Sequence, residues 1–135
     1  MPSERTYVPK VVRWLIVAIV FGLVLLAAFW RPESVVDRAG PLGVVDQQTW
    51  VEGAAYGALT LSLLYAVAPA SNAGTVSPLL VPVFVISFAC LIEAGQSLSG
   101  VATFQAIDLV AASLFSIVVA FVWDAGQRAI QTSPV

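Results

Sequence analysis

Apolar positions along this chain do not alternate with polar ones at a period of 2 or 3.6. They run together into four long blocks: Val11 to Trp30, Trp50 to Pro69, Leu79 to Leu98 and Phe104 to Trp123. Blocks of roughly 20 residues rising 1.5 Å each match a hydrocarbon layer about 30 Å thick. A segment crossing lipid must pair its own N–H and C=O groups, so each block is predicted to be an α-helix. The expected fold is all-α, a polytopic transmembrane bundle of four helices. It forms a single domain over residues 1–135, with 124–135 as a short polar tail.

The connections fit this frame. Arg31 to Thr49 is the longest, and its Pro32, Gly40-Pro41 and Gly43 predict an irregular surface loop that can fold over the helix ends. Ala70 to Pro78 is rich in Ser, Asn, Gly and Thr and reads as a turn, Ser97 to Thr103 as a short connector, and Gln127 to Val135 as a loose tail. Pro82 falls in the first turn of the third helix, where a missing N–H is tolerated. Trp14, Trp30, Trp50 and Trp123 all lie near block ends, where indole rings favour the headgroup layer.

Composition narrows the class further. Of 135 residues, 59% are hydrophobic and 10% charged, too apolar for a soluble globule. The net charge of −2 comes without a basic run, which argues against nucleic acid as a partner and leaves membrane lipids as the evident one. Histidine is absent, and with it bis-His haem, His-based zinc sites and Ser-His or Cys-His pairs. Cys90, the only cysteine, offers no disulfide or Cys-x-x-Cys site and is expected to be a buried, inert thiol. No cofactor and no metal are expected. Arg5, Lys10 and Arg13 form a basic n-region, but the apolar run that follows is longer than a signal h-region and lacks a clear small-x-small cleavage site, so the first block is expected to stay as a helix.

Short basic flanks orient the bundle. Arg5, Lys10, Arg13 and Arg128 share one side, against Arg31 and Arg38 on the other, which predicts a cell-membrane protein with both termini cytoplasmic. Small residues predict how the helices pack. Gly53 and Gly57 form a Gly-x-x-x-Gly pair on the second helix, and Ala112, Ser116 and Ala120 repeat the small-residue spacing on the fourth. These surfaces suit close approach within the bundle or, alternatively, between copies.

Three acids interrupt the blocks. Glu52 opens the second, Glu93 closes the third and Asp108 opens the fourth, so span counting puts all three at one side, the outer one. A charged group in hydrocarbon costs roughly 2.5 to 3.5 kcal/mol on insertion scales, and such residues face the bundle interior. Glu52 and Tyr56 are four apart and share a helix face, as do Glu93 and Gln96, three apart. Glu52 and Asp108 also suit a helix N-terminus electrostatically, whereas Glu93 near a C-terminus opposes the macrodipole. The second, third and fourth blocks contain no Lys or Arg.

At these residues the chain resembles the VanZ-like family of small four-span membrane proteins, named for a protein linked to teicoplanin resistance. The resemblance covers roughly residues 40 to 120. Trp50 and Tyr56 keep the aromatic positions of the family's second span, Glu93-Ala94-Gly95-Gln96 matches its Glu-x-x-Gln, and Phe104 and Asp108 match the start of its fourth. Gln48, Thr49, Glu52, Ala102 and Ala112 stand where the family has Asp, Lys, His, Arg and Asn. The resemblance implies the four-span fold and a cell-envelope setting rather than a reaction.

Three functions compete. The first is an outward-facing pocket of Glu93, Gln96, Asp108, Glu52 and Tyr56 that binds an envelope lipid, a cell-wall precursor or a glycopeptide-type drug. Acids in such a pocket suit a cationic or hydroxyl-bearing ligand, or a proton, better than a bare phosphate. The second is a non-catalytic structural or accessory subunit whose acids lock the bundle by hydrogen bonds. The third is an intramembrane enzyme with paired carboxyl groups as acid and base. Whether the three acids share one cavity decides among them.

Overall fold

The computed structural model describes residues 8–30, 39–41, 43–68, 77 and 79–132. Arg5, Arg31, Pro32, Arg38, most of the Ala70 to Pro78 turn and the end of the tail lie outside the described residues. Four helices follow one another: α1 (Lys10–Phe29), α2 (Gln47–Val67), α3 (Leu80–Ser99) and α4 (Ala106–Thr132). Among the described residues the fold is thus all-helical. Among the described residues, α1, α3 and α4 are long and apolar enough to cross a membrane. Large apolar side chains such as Leu15, Ile19, Phe84, Leu91, Ile117 and Phe121 point outward along these helices, the surface that a lipid environment requires.

At 21 residues α2 has the length of a span, but it is more polar than its neighbours. The reason is its position. α2 packs on α1, α3 and α4, whereas α1 and α4 do not meet among the described residues. Its buried positions therefore include Thr49, Tyr56, Thr60 and Ser62 as well as Leu59 and Leu64. The hydroxyls of Thr60 and Ser62 donate to the carbonyls of Tyr56 and Leu59 on their own helix.

Helix ends differ from the sequence reading in informative ways. α2 begins at Gln47, three residues before the predicted Trp50, because Asp46 is its N-cap and accepts from Thr49 N at 2.6 Å. α3 ends at Gly100 with φ 72°, the left-handed C-cap that glycine adopts without strain. The polar tail predicted from residue 124 is helical to Thr132. Asp124 and Arg128 pair at 2.7 Å one turn apart and add to that extension. Cys90 is exposed on the outer face of α3 rather than buried. In a lipid-facing helix an apolar side chain has no reason to turn inward.

The closest helix pair is α2 with α4, where the small residues predict it. A Cβ built on Gly53 would stand 2.6 Å from Phe115 Cδ2, while at Gly57 the nearest atoms are 3.5 Å away. Only a residue without a side chain lets the Phe115 ring lie on α2 at Gly53. Trp50 meets the same ring edge-on at 5.7 Å. Opposite, Ala112 and Ser116 are fully buried and Ala120 nearly so. Below the acids, Val24, Tyr56, Leu59, Val85, Ala89 and Ala112 form the main apolar core, and Phe21 stacks on Phe88 at its edge.

Arg13 has a role that the orientation argument missed. Its Nη1 donates to the carbonyls of Tyr65 and Ala68 at 3.2 and 3.1 Å, and its guanidinium lies 4.8 Å from the Tyr65 ring centre. A cation from α1 thus closes the C-terminus of antiparallel α2, where the free carbonyls and the negative end of the dipole meet.

Candidate functional site

The acids predicted to share one side come together. One carboxylate oxygen from each of Glu52, Glu93 and Asp108 lies within 4.8 Å of the others, with Glu93 and Asp108 buried and Glu52 half-buried. Three helices bring them there: α2 from its second turn, α3 from its last two turns and α4 from its first. This convergence follows from antiparallel packing, which sets the C-terminus of α3 beside the N-termini of α2 and α4.

Each acid has a local anchor. Asp108 accepts from Thr49 Oγ1 at 2.6 Å, across from α2. Glu52 accepts from Gln48 Nε2 at 3.0 Å, one turn back on its own helix. Glu93 accepts from the backbone N–H of Gln105 at 3.1 Å. That last bond answers the macrodipole objection. Glu93 lies near the negative end of α3, but its carboxylate reaches over the 100–105 turn to the positive end of α4, where a free N–H awaits a partner.

Tyr56 sits one turn beyond Glu52, is 5% exposed, and lies within electrostatic reach of all three carboxylates. It floors the cluster and at the same time belongs to the apolar core beneath. Gln96 departs from the expected arrangement. Although it is 2% exposed and at the same end of the bundle, its Nε2 donates to Ala28 O on α1 at 2.7 Å, and among the described residues its Oε1 has no hydrogen-bond donor. The glutamine therefore binds α3 to α1, while Glu93 serves α4. Ala112, at the position of an Asn in the VanZ-like pattern, is fully buried in the core, and Ala102 lies in the turn above.

Thr49 is the site residue that sequence reasoning passed over, as a departure from the family pattern. Its signal was its place three residues after Asp46, the N3 position of a capped helix, on the face that Glu52 and Tyr56 share. Chemically, the cluster offers three closely spaced carboxylate oxygens at the end of the bundle, with the Tyr56 phenol one turn along α2 from Glu52. Three carboxylates at this spacing are within reach of a single hard cation, although no metal site is expected from the sequence. They also suit the sharing of a proton. Comparison with known families, with curated proteins and with solved structures gives no match.

Proposed function

We propose that this chain is a multi-pass protein of the cell membrane, of VanZ-like type, with both termini cytoplasmic and the carboxylate cluster facing outward. In this reading the cluster binds a cationic or hydroxyl-bearing group of an envelope ligand, such as a lipid headgroup, a cell-wall precursor or a glycopeptide-type drug. The observation that carries it is the meeting of Glu52, Glu93 and Asp108 within 4.8 Å at one end of the bundle. These acids come from the three helices in which the resemblance to the family was found. A carboxylate cluster attracts cationic and hydroxyl donors and repels bare phosphate.

Binding measurements on the purified protein in lipid nanodiscs test this, with teicoplanin and a lipid-linked cell-wall precursor as separate probes. Binding of either probe that is lost in an E93Q/D108N double variant supports the reading. No binding of either probe by the wild type overturns it.

One observation favours a second reading, that of a non-catalytic accessory subunit. Every acid of the cluster is also engaged inside the protein, with Gln48, Thr49 and the Gln105 N–H as partners. A purely structural lock has this form. It predicts that E93Q/D108N lowers stability without changing any binding.

A further inference from the structure

Between α1 and α2, in the half of the bundle that carries the acids, lies an apolar groove of about 480 Å³. Its wall is α1 between Val20 and Trp30, and its α2 side is Ala55 and Ala58, which offer only a methyl group each. The volume falls within the range of ligand pockets, roughly 300 to 1,000 Å³. Toward the other end of the same helix pair the gap is bridged, where Arg13 of α1 reaches the Tyr65 and Ala68 carbonyls of α2.

The length of the groove says what fits it. Val20 stands midway along α1 and Trp30 is its C-cap, about 15 Å away along the helix. That is half of a hydrocarbon layer about 30 Å thick. One end of the groove therefore falls at mid-bilayer, and the other at an indole that suits the headgroup layer. An acyl chain of one leaflet has this reach and this depth. A helix from a second copy would instead call for a continuous face across both leaflets.

A polar group lies beside the groove. Gln96 of α3 bonds Ala28 O of α1, and Glu93 stands three residues deeper on α3, about 4.5 Å. Glu52 has a carboxylate oxygen within 4.8 Å of one on Glu93, so it lies alongside the groove rather than beyond its end. It precedes Ala55 by one turn of α2 and, of the three acids, it alone is not buried. The groove thus has the complement of an amphiphile, apolar along one leaflet and anionic near the headgroup layer.

We propose that the α1–α2 groove seats one acyl chain of a membrane lipid from the leaflet at the cluster end, with an ammonium-bearing head drawn to Glu52. The head assignment rests on reading the cluster as a site for cationic groups, whereas the chain seat does not.

Photolabelling in phosphatidylcholine nanodiscs tests this, with phosphatidylethanolamine carrying a diazirine in its acyl chain as the probe and phosphatidic acid of identical chains as its comparison. The ethanolamine probe should label Leu23, Ala27 and Ala58 above the other lipid-facing positions, and phosphatidic acid should label them less. Ala58 is exposed, so A58F fills the groove without entering the core and should abolish this labelling. A94F, on the exposed side of α3, should leave it unchanged. E52Q should remove the preference between the two probes. Labelling spread evenly over the exposed faces of α1, α3 and α4 overturns the proposal, as does groove labelling that A58F leaves intact. Equal labelling by the two wild-type probes, or a preference that E52Q does not change, overturns the head assignment. Exclusion of both probes from the groove in a chain that runs as a dimer would assign the groove to a second copy. Should A58F fail to fold, the wild-type label map decides alone. Neither teicoplanin nor a cell-wall precursor is present, so a failure here is distinct from a failure of either to bind.

Discussion

The Thr49 hydroxyl donates to Asp108 Oδ1 at 2.6 Å, joining residues 59 apart in sequence across the first turns of α2 and α4. Both residues are buried. Thr49 is held in place by its own N–H, which the Asp46 cap accepts, so the cap that starts α2 also aims the hydroxyl at α4. One bond thereby sets the distance between two helix N-termini and the direction in which the Asp108 carboxylate faces.

Replacing Thr49 by Val removes this donor while nearly keeping the shape. Interhelical hydrogen bonds in membrane proteins contribute about 0.6 kcal/mol on average and up to about 1.7. T49V should therefore lose unfolding free energy in detergent by an amount in that range, and T49S should recover most of the loss. Unchanged unfolding of T49V would show that the bond contributes nothing to holding α2 on α4.

Gly53 and Gly57 should respond differently to the same change. A methyl on Gly53 meets the Phe115 ring at 2.6 Å, whereas one on Gly57 finds ordinary contacts at 3.5 Å. G53A should lose about 1 to 3 kcal/mol, the usual range for overpacking, and G57A much less. Shortening the ring in a G53A/F115L double variant should restore part of the loss relative to F115L alone. Equal effects of the two alanines would mean that the ring moves aside freely.

Closing the far end of α2 should depend on the geometry of Arg13 as well as its charge. Its Nη1 reaches two carbonyls, of Tyr65 and Ala68, while the guanidinium lies against the Tyr65 ring. R13Q should lower stability by roughly 1.5 to 3 kcal/mol, the range for hydrogen bonds to charged groups. R13K should fall between, since an ammonium keeps the charge at the helix C-terminus without the planar fork. A lysine variant as stable as the parent in thermal unfolding would reduce the contact to simple charge.

What the sequence discloses about this fold divides along physical lines. Lipid forces each crossing segment into a helix, so four apolar blocks are four helices, and counting them puts Glu52, Glu93 and Asp108 at one end. Gly53 stands at a close contact because few other arrangements use a glycine there. The bond from Gln105 N to Glu93 was not legible, because it depends on how the 100–105 turn folds back over α3. Arg13 was hidden for a similar reason, its partners being backbone carbonyls that every sequence has. Other misses left signals. Asp46 followed by Thr49 was a capped start, and the spacing of Asp124 and Arg128 was that of a continuing helix. Cys90 misled because burial rules drawn from soluble cores do not govern a lipid-facing surface.

The orientation is open to a direct test. If all four helices cross, the basic residues Lys10, Arg13 and Arg128 on one side predict that both termini are cytoplasmic. A reporter fused after Val135 should read cytoplasmic, and one inserted between Pro32 and Asp46 should read external. The reverse pair of readings would invert the bundle and turn the carboxylate cluster toward the cytoplasm. Termini on opposite sides would mean that α2, the most polar of the four helices, does not cross.

Glu93 separates the functional reading from the structural one, because its carboxylate does two things at once. It accepts the Gln105 N–H, which orders the start of α4, and it contributes a buried oxygen to the cluster with Glu52 and Asp108. In E93Q the side-chain amide keeps an acceptor for that N–H and loses the charge. Folding should hold, and any binding of teicoplanin or a lipid-linked precursor should fade. In E93L the N–H loses its partner at a cost of about 1 to 3 kcal/mol, so the melting temperature should fall even though a buried carboxylate has been replaced by hydrocarbon. If the leucine variant instead melts higher than the parent and binds the probes as well, the carboxylate is neither a ligand-binding group nor a useful lock, and the site must lie elsewhere.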